Sequence, residues 1–115
     1  MPLESEQRPW GSFDVLLDSN ECKVKRITVN PQQQLSYQYH EKREEYWTIV
    51  KGQALITLDD KKIPLTEGEQ NHIPLKAKHR VQNQNNTPLS IIEIQRGTYF
   101  GEDDIIRLED DYNRV

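Results

Sequence analysis

The chain has 115 residues, room for one domain and little more, with 34% hydrophobic and 30% charged residues and a formal net charge of −4. That balance speaks against a basic nucleic-acid-binding face. No apolar run approaches membrane-spanning length, and the polar residues 1–8 lack the apolar centre of a signal peptide. A single cysteine, Cys22, excludes an intrachain disulfide and fits a reducing, cytoplasmic setting. A chain this small and polar buries a modest core, so subunit pairing is a natural source of further burial and a homodimer is expected.

In chain order, residues 12–17 alternate weakly, and 23–29 form a clear strand around Val24, Ile27 and Val29. Residues 34–40 alternate, with Leu35, Tyr37 and Tyr39 on one face and Ser36, Gln38 and His40 on the other. Residues 45–51 are rich in β-formers and end at Gly52. Residues 53–58 follow, and Asp59, Asp60, Lys61 and Lys62 make a hairpin turn. Further strands are expected at 62–65, 71–74, 79–83 and 89–95. Helical periodicity is absent before residue 100, so the chain reads as all-β, a sandwich or closed barrel over residues 8–100. The acidic segment 101–115 is expected to be a solvated tail, irregular or a short helical turn. Its alternative is an arm that packs through Ile105, Ile106 and Leu108.

Gln38 and His40 project together from one strand face. Glu45 follows the turn at 41–44 and opens the next strand, expected to run back beside the first, so that the three converge across one hairpin. His79 opens a later strand after Pro74. An amide oxygen, two imidazoles and a carboxylate form a mixed donor set for one divalent cation: zinc foremost, or manganese, cobalt, iron or nickel.

These residues fall in two spaced runs. Gln38-x-His40-x4-Glu45-x6-Gly52 resembles the first cupin motif, with Gln in place of its first His, and Gly68-x5-Pro74-x4-His79-x3-Asn83 resembles the second. The match extends to Arg8-Pro9-Trp10-Gly11-Ser12, Lys23-Val24-Lys25-Arg26, Leu35-Ser36-Tyr37-Gln38-Tyr39-His40, Arg43-Glu44-Glu45-Tyr46-Trp47, His79-Arg80 and Gly101-Glu102-Asp103-Asp104-Ile105. Together these are similar to the C-terminal domain of type II mannose-6-phosphate isomerases, over residues 8–114. In that family the domain is often fused to a mannose-1-phosphate guanylyltransferase. That half is missing from the match, so no nucleotide chemistry is expected.

The resemblance implies a single cupin double-stranded β-helix, a jelly-roll barrel. It also implies one metal on Gln38, His40, Glu45 and His79, and interconversion of mannose 6-phosphate and fructose 6-phosphate. Three departures stand out: Lys76 replaces the Gly of the second motif and implies a different turn, while Tyr46 and the pair Glu41 and Lys42 occupy positions where the family often carries His.

The isomerisation moves a proton between C2 and C1 of the sugar through an enediol. With Glu45 and His79 taken as ligands, the base is left open between Lys25 and a metal-bound water. The phosphate calls for cationic donors, for which the planar Arg fork is suited. Lys25 and Arg80 are the catalytic candidates. Ser36, Arg26 and Arg43 are the substrate-binding ones, with Arg8 as a further phosphate donor. Lys25 and Arg26 face opposite sides of one strand, so at most one points inward. Trp10, Phe13, Trp47, Tyr99 and Phe100 are read as packing, His72 as exposed, and Gly52, Gly68 and Asn83 as turn or strand-end structure. The competing readings are a metal-holding cupin that binds a sugar or sugar nucleotide without turnover, and another metal-dependent cupin enzyme such as a dioxygenase or epimerase. Gln38 weighs against an oxygenase.

Overall fold

The computed structural model describes residues 2–112. Its strands are β1 (Glu4–Arg8), β2 (Gly11–Asp18), β3 (Lys23–Val29), β4 (Tyr37–Tyr39), β5 (Arg43–Lys51), β6 (Ala54–Leu58), β7 (Lys61–Leu65), β8 (Gln70–Ile73), β9 (His79–Gln82), β10 (Leu89–Gly97) and β11 (Ile106–Glu109). No helix occurs among the described residues. The strands form two antiparallel sheets, one in the order β1-β2-β3-β10-β5-β8 and one in the order β11-β4-β9-β6-β7. After β3 the chain passes from sheet to sheet, apart from the hairpin β6–β7. Residues far apart in sequence are thereby set opposite one another across the interior.

The period-2 alternation does the sorting. In β3, Lys25, Ile27 and Val29 point inward; in β5, Arg43, Glu45, Trp47 and Ile49; in β10, Leu89, Ile91, Glu93 and Gln95. The register places Ile91 opposite both Ile27 and Ile49, and Glu93 opposite both Lys25 and Trp47. One end of the interior is therefore apolar, closed by Ile56, Val81 and Leu65 of the facing sheet. The other end is lined with charge. Full burial of an aliphatic side chain such as Ile91 contributes about 1.5–3 kcal/mol, so the apolar end carries the fold while the polar end is free to differ.

Local chemistry sets the turns. Asp59 and Asp60 take φ of 46° and 70°, the left-handed pair that a two-residue hairpin needs between β6 and β7. Lys76 has φ of 65°, so the turn keeps the left-handed conformation expected of Gly rather than adopting a different one. An L-residue is disfavoured there, and Lys76→Gly should raise stability by about 0.5–1 kcal/mol in urea titration. Asn83 is buried and its amide donates to the carbonyls of Val29, Asn30 and Thr87 while its oxygen accepts from the Asn85 N–H. Asn83→Ala leaves buried carbonyls without donors and should destabilise by about 2 kcal/mol, read as a lower urea midpoint at unchanged slope.

Two elements depart from expectation. β1 pairs along β2 although its side chains are exposed or half-buried, so no hydrophobic pattern announced it. The described part of the acidic segment is not simply a solvated tail: β11 pairs with β4, Ile105 reaches the interior cavity, and Asp104 is buried. Of the three residues expected to pack an arm, Ile105 and Ile106 are half-buried and Leu108 is exposed. No helix of the described residues is long and apolar enough to cross a membrane.

Candidate metal centre and the cavity above it

Three side chains meet at the polar end. His40 follows β4, Glu45 lies in β5 and His79 opens β9, all three fully enclosed. β4 and β9 pair with Gln38 opposite His79, whereas β5 belongs to the other sheet. Glu45 thus reaches His40 across the two sheets and not across a hairpin, correcting the expected pairing of residues 34–40 with 45–51. The alternation within 34–40 is also broken, since regular pairing covers only β4 and Leu35 and Gln38 line the same cavity.

The imidazoles are oriented by backbone carbonyls. Nδ1–H of His40 donates to the Asp104 carbonyl at 2.8 Å and Nδ1–H of His79 to the Ala77 carbonyl at 2.9 Å. Each ring therefore turns an Nε2 lone pair inward, the tautomer that a metal ligand needs. Nε2 of His40 lies 3.3 Å from Glu45 Oε2 and Nε2 of His79 lies 3.5 Å from Glu45 Oε1. Buried His79 Nε2 has no hydrogen-bond partner. His40 Nε2 has Arg43 Nη2 at 3.4 Å, but the His79 lone pair faces the carboxylate without a donor, which calls for a cation between them. Ligands of a tetrahedral ion sit about 3.3–3.6 Å apart, so the donor set fits one. The three donor atoms lie within 4.8 Å of one another.

Burial and the Arg43 guanidinium act on the protonation states. Burial lowers the pKa of His40 to about 4, against the opposing pull of Glu45. Burial alone would raise Glu45, but His40 and Arg43 outweigh it and hold this carboxyl well below the usual range. Glu93 is pushed well above it, first by burial and then by the charge of Glu45, to which it hydrogen-bonds as the protonated partner. Gln95 Nε2 donates to Glu93 Oε1 at 3.3 Å.

A cavity of about 50 Å³ adjoins this centre, with Gln38, Glu45, Glu93, Lys25, Arg43 and Glu102 among the polar groups on its wall and Trp10, Phe13, Ile27 and Trp47 among the apolar ones. Arg43 Nε donates to Glu45 Oε2 at 2.9 Å, and Lys25 Nζ to Glu102 Oε2 at 3.0 Å. Lys25 Nζ also stands 4.0 Å from the centre of the Phe13 ring.

Several candidates sort differently from expectation. Lys25 and Arg43 point into the cavity. Arg26 is exposed on the opposite face of β3 and contacts none of this, so it is removed from the substrate-binding set. Arg80 is likewise removed from the catalytic set: its Nε donates to the Leu35 carbonyl and its guanidinium lies over the Tyr37 ring, outside the cavity. Ser36 is buried away from the cavity, and its hydroxyl donates to Gln38 Oε1 at 2.7 Å, which orients Gln38. Trp10, Phe13 and Trp47 are core, while Tyr99 is exposed. His72 is exposed and stacks on Tyr46.

Glu93, Glu102 and Asp104 were missed. Glu93 and Gln95 continue the inward face of Leu89 and Ile91, and a polar pair on a buried face was a readable signal. Glu102 and Asp104 lie in one of the segments that carry the family resemblance, but nothing in that run of acids marks a role at the site. Asp104 joins the tail to the site: its carbonyl accepts the hydrogen bond from His40 Nδ1–H, and its carboxylate accepts those from the N–H groups of Glu41 and Lys42.

A two-sheet barrel carrying inward-facing His, Glu and His side chains at one end defines a cupin domain, and solved structures agree. The Staphylococcus aureus capsular polysaccharide assembling protein CapF superposes with a TM-score of 0.81 at 22% identity, over 95% of this chain and 33% of that one. The Schizosaccharomyces pombe Cnp3 cupin domain superposes at 0.72 with 8% identity, over 75% of this chain and 64% of that one. The narrower assignment comes from sequence: residues 3–110 match the family described as mannose-6-phosphate isomerase C-terminal, and the chain belongs to that family. It is 50% identical over 108 residues to the alginate biosynthesis protein AlgA of Pseudomonas aeruginosa, covering 94% of this chain and 22% of that protein. It is 43% identical over 107 residues to a mannose-1-phosphate guanylyltransferase of Escherichia coli, covering 93% of this chain and 23% of that protein. The chain thus spans under a quarter of the length of these relatives.

Proposed function

We propose that this domain is a metal-dependent aldose–ketose isomerase that interconverts mannose 6-phosphate and fructose 6-phosphate. The observation that carries the reading is the pair of inward Nε2 lone pairs on either side of Glu45, directly beside a cavity that also presents Lys25 and Arg43. His40, Glu45 and His79 would hold the metal, with Gln38 as fourth ligand, oriented by Ser36. Zinc suits this donor set, and manganese, cobalt, iron and nickel are the alternatives. When bound, the ion supplies Lewis-acid stabilisation of negative charge developing on the sugar oxygens O1 and O2. Arg43 and Lys25 receive the phosphate. Trp10, Phe13 and Ile27 exclude water from the reacting carbons. Glu93, on the same wall beside Glu45, is placed to donate its proton to a sugar oxygen, whereas the Lys25 ammonium belongs with the phosphate donors. We place this chemistry in the cytoplasm and in a homodimer. A monomer mass in light scattering at micromolar concentration would remove the dimer.

The test is turnover of mannose 6-phosphate by the full chain with added Zn²⁺, Mn²⁺ or Co²⁺, coupled to detection of fructose 6-phosphate. Turnover should appear with metal and vanish on chelation. His79→Ala and Gln38→Ala should lower metal affinity by about tenfold or more in elemental analysis after dialysis. Unchanged metal content in both variants would remove the ligand assignment. Absence of turnover with every metal would leave a cupin that binds its sugar without converting it, a reading favoured by the small volume of the cavity.

A further inference from the structure

The cations at the cavity mouth already hold an anion. Glu102, in the turn between β10 and β11, sends its carboxylate to Lys25 Nζ at 3.0 Å, Arg43 Nη1 at 3.5 Å and Arg8 Nη2 at 3.7 Å. These cations come from three different strands, β3, β5 and β1, and converge on one point. Lys25 and Arg43 are buried, and Arg43 Nη1 has no hydrogen-bond partner despite the nearby carboxylate. The carboxylate therefore fills the cluster without satisfying it. A phosphate has more oxygens and more charge to offer the same donors.

Space gives an independent argument. A cavity of about 50 Å³ holds a few waters, whereas sites for small organic ligands run from about 300 Å³ upward. Something on its wall must move before a sugar phosphate enters. Glu102 is the carboxylate of the cluster with freedom to move: its side chain is 32% exposed, against 28% for Arg8, 4% for Lys25 and 3% for Arg43. It also sits in a short turn, closed by the Asp104 N–H donating to the Gly101 carbonyl, and so is tethered just ahead of the anchored Asp104. The carboxylate can swing out while Asp104 keeps its bond to His40.

We propose that Lys25, Arg43 and Arg8 form a phosphate receptor and that Glu102 is its built-in competitor, displaced when a phosphate monoester enters. This rests on the sugar-phosphate reading of the same site for its substrate class but not for catalysis. A competitor that occupies the receptor nine-tenths of the time weakens apparent affinity about tenfold.

The experiment measures binding of inorganic phosphate and of mannose 6-phosphate to the full chain by calorimetry, with chelator present so that no metal takes up the phosphate. Glu102→Gln should bind both about tenfold more tightly than the parent chain, and Glu102→Ala should do the same. The gain should disappear in Glu102→Gln/Lys25→Met. Equal or weaker phosphate binding by Glu102→Gln and Glu102→Ala would overturn the proposal, and so would a gain that survives loss of Lys25. Such results would make Glu102 a fixed structural partner. Tighter phosphate binding without isomerase turnover under any metal would keep the receptor and remove only the enzymatic reading.

Discussion

Glu45→Leu should destabilise the metal-free protein by about 3 kcal/mol at pH 7, while Glu93→Gln should leave it equally or more stable. The two carboxyls are neighbours in one buried cluster but carry different protonation states. Glu45 is the anion that pairs with Arg43, and removing it leaves a buried cation short of charge. Burial and the charge of Glu45 push the Glu93 carboxyl well above its usual range, so an amide in its place changes little. The loss on removing Glu45 stays near the lower end of the range for breaking a buried pair because Glu93, freed of its neighbour's charge, gives up its proton and takes over part of the pairing. Glu45→Leu/Glu93→Gln has no such reserve and should lose about 5 kcal/mol, more than the two single changes together. Urea denaturation of the four proteins with chelator present decides it. Additive single and double values would show that Glu93 was ionised all along.

The same difference sets a pH dependence. Folded His40 stays neutral down to about pH 4, whereas its unfolded counterpart takes up a proton below 6.5, so stability from His40 is lost as pH falls. Folded Glu93 keeps a proton that the unfolded carboxyl releases above about 4.5, so stability from Glu93 is lost as pH rises. Between pH 4.5 and 6.5 the two slopes oppose one another, and the metal-free protein should change less than a variant that keeps only the His40 slope. Glu93→Gln removes one slope and should lose about 3 kcal/mol on acidification across that window. Below it, Glu45, whose folded pKa is depressed, adds to the His40 loss, and both proteins should fall off steeply. Guanidinium midpoints at closely spaced pH values would show this, and an equally flat profile for Glu93→Gln would reject it.

What was legible along the chain follows from periodicity. Strands β3, β5 and β10 alternate cleanly because one face of each is buried, and His40, Glu45 and His79 meet in the folded centre, with Gln38 on the wall of the adjoining cavity. The opposition of Lys25 and Arg26 was also readable, since a strand can turn only one of two consecutive residues inward. β1 was not readable, because an edge strand held by backbone pairing needs no hydrophobic pattern. Nor was the role of 101–109: acidic residues announce solvent until a partner of opposite charge is known.

By itself, then, the order of residues determined an all-β chain, the faces of its central strands and the donor types of the centre, since each depends on near neighbours and a period of two. The tertiary structure decided that Glu45 meets His40 across two sheets, that Arg80 and Arg26 stand outside, and that Glu93, Glu102 and Asp104 belong to the site. Those outcomes depend on which strands from distant parts of the chain come face to face, and charge acquires its meaning only from what it faces once water has been removed.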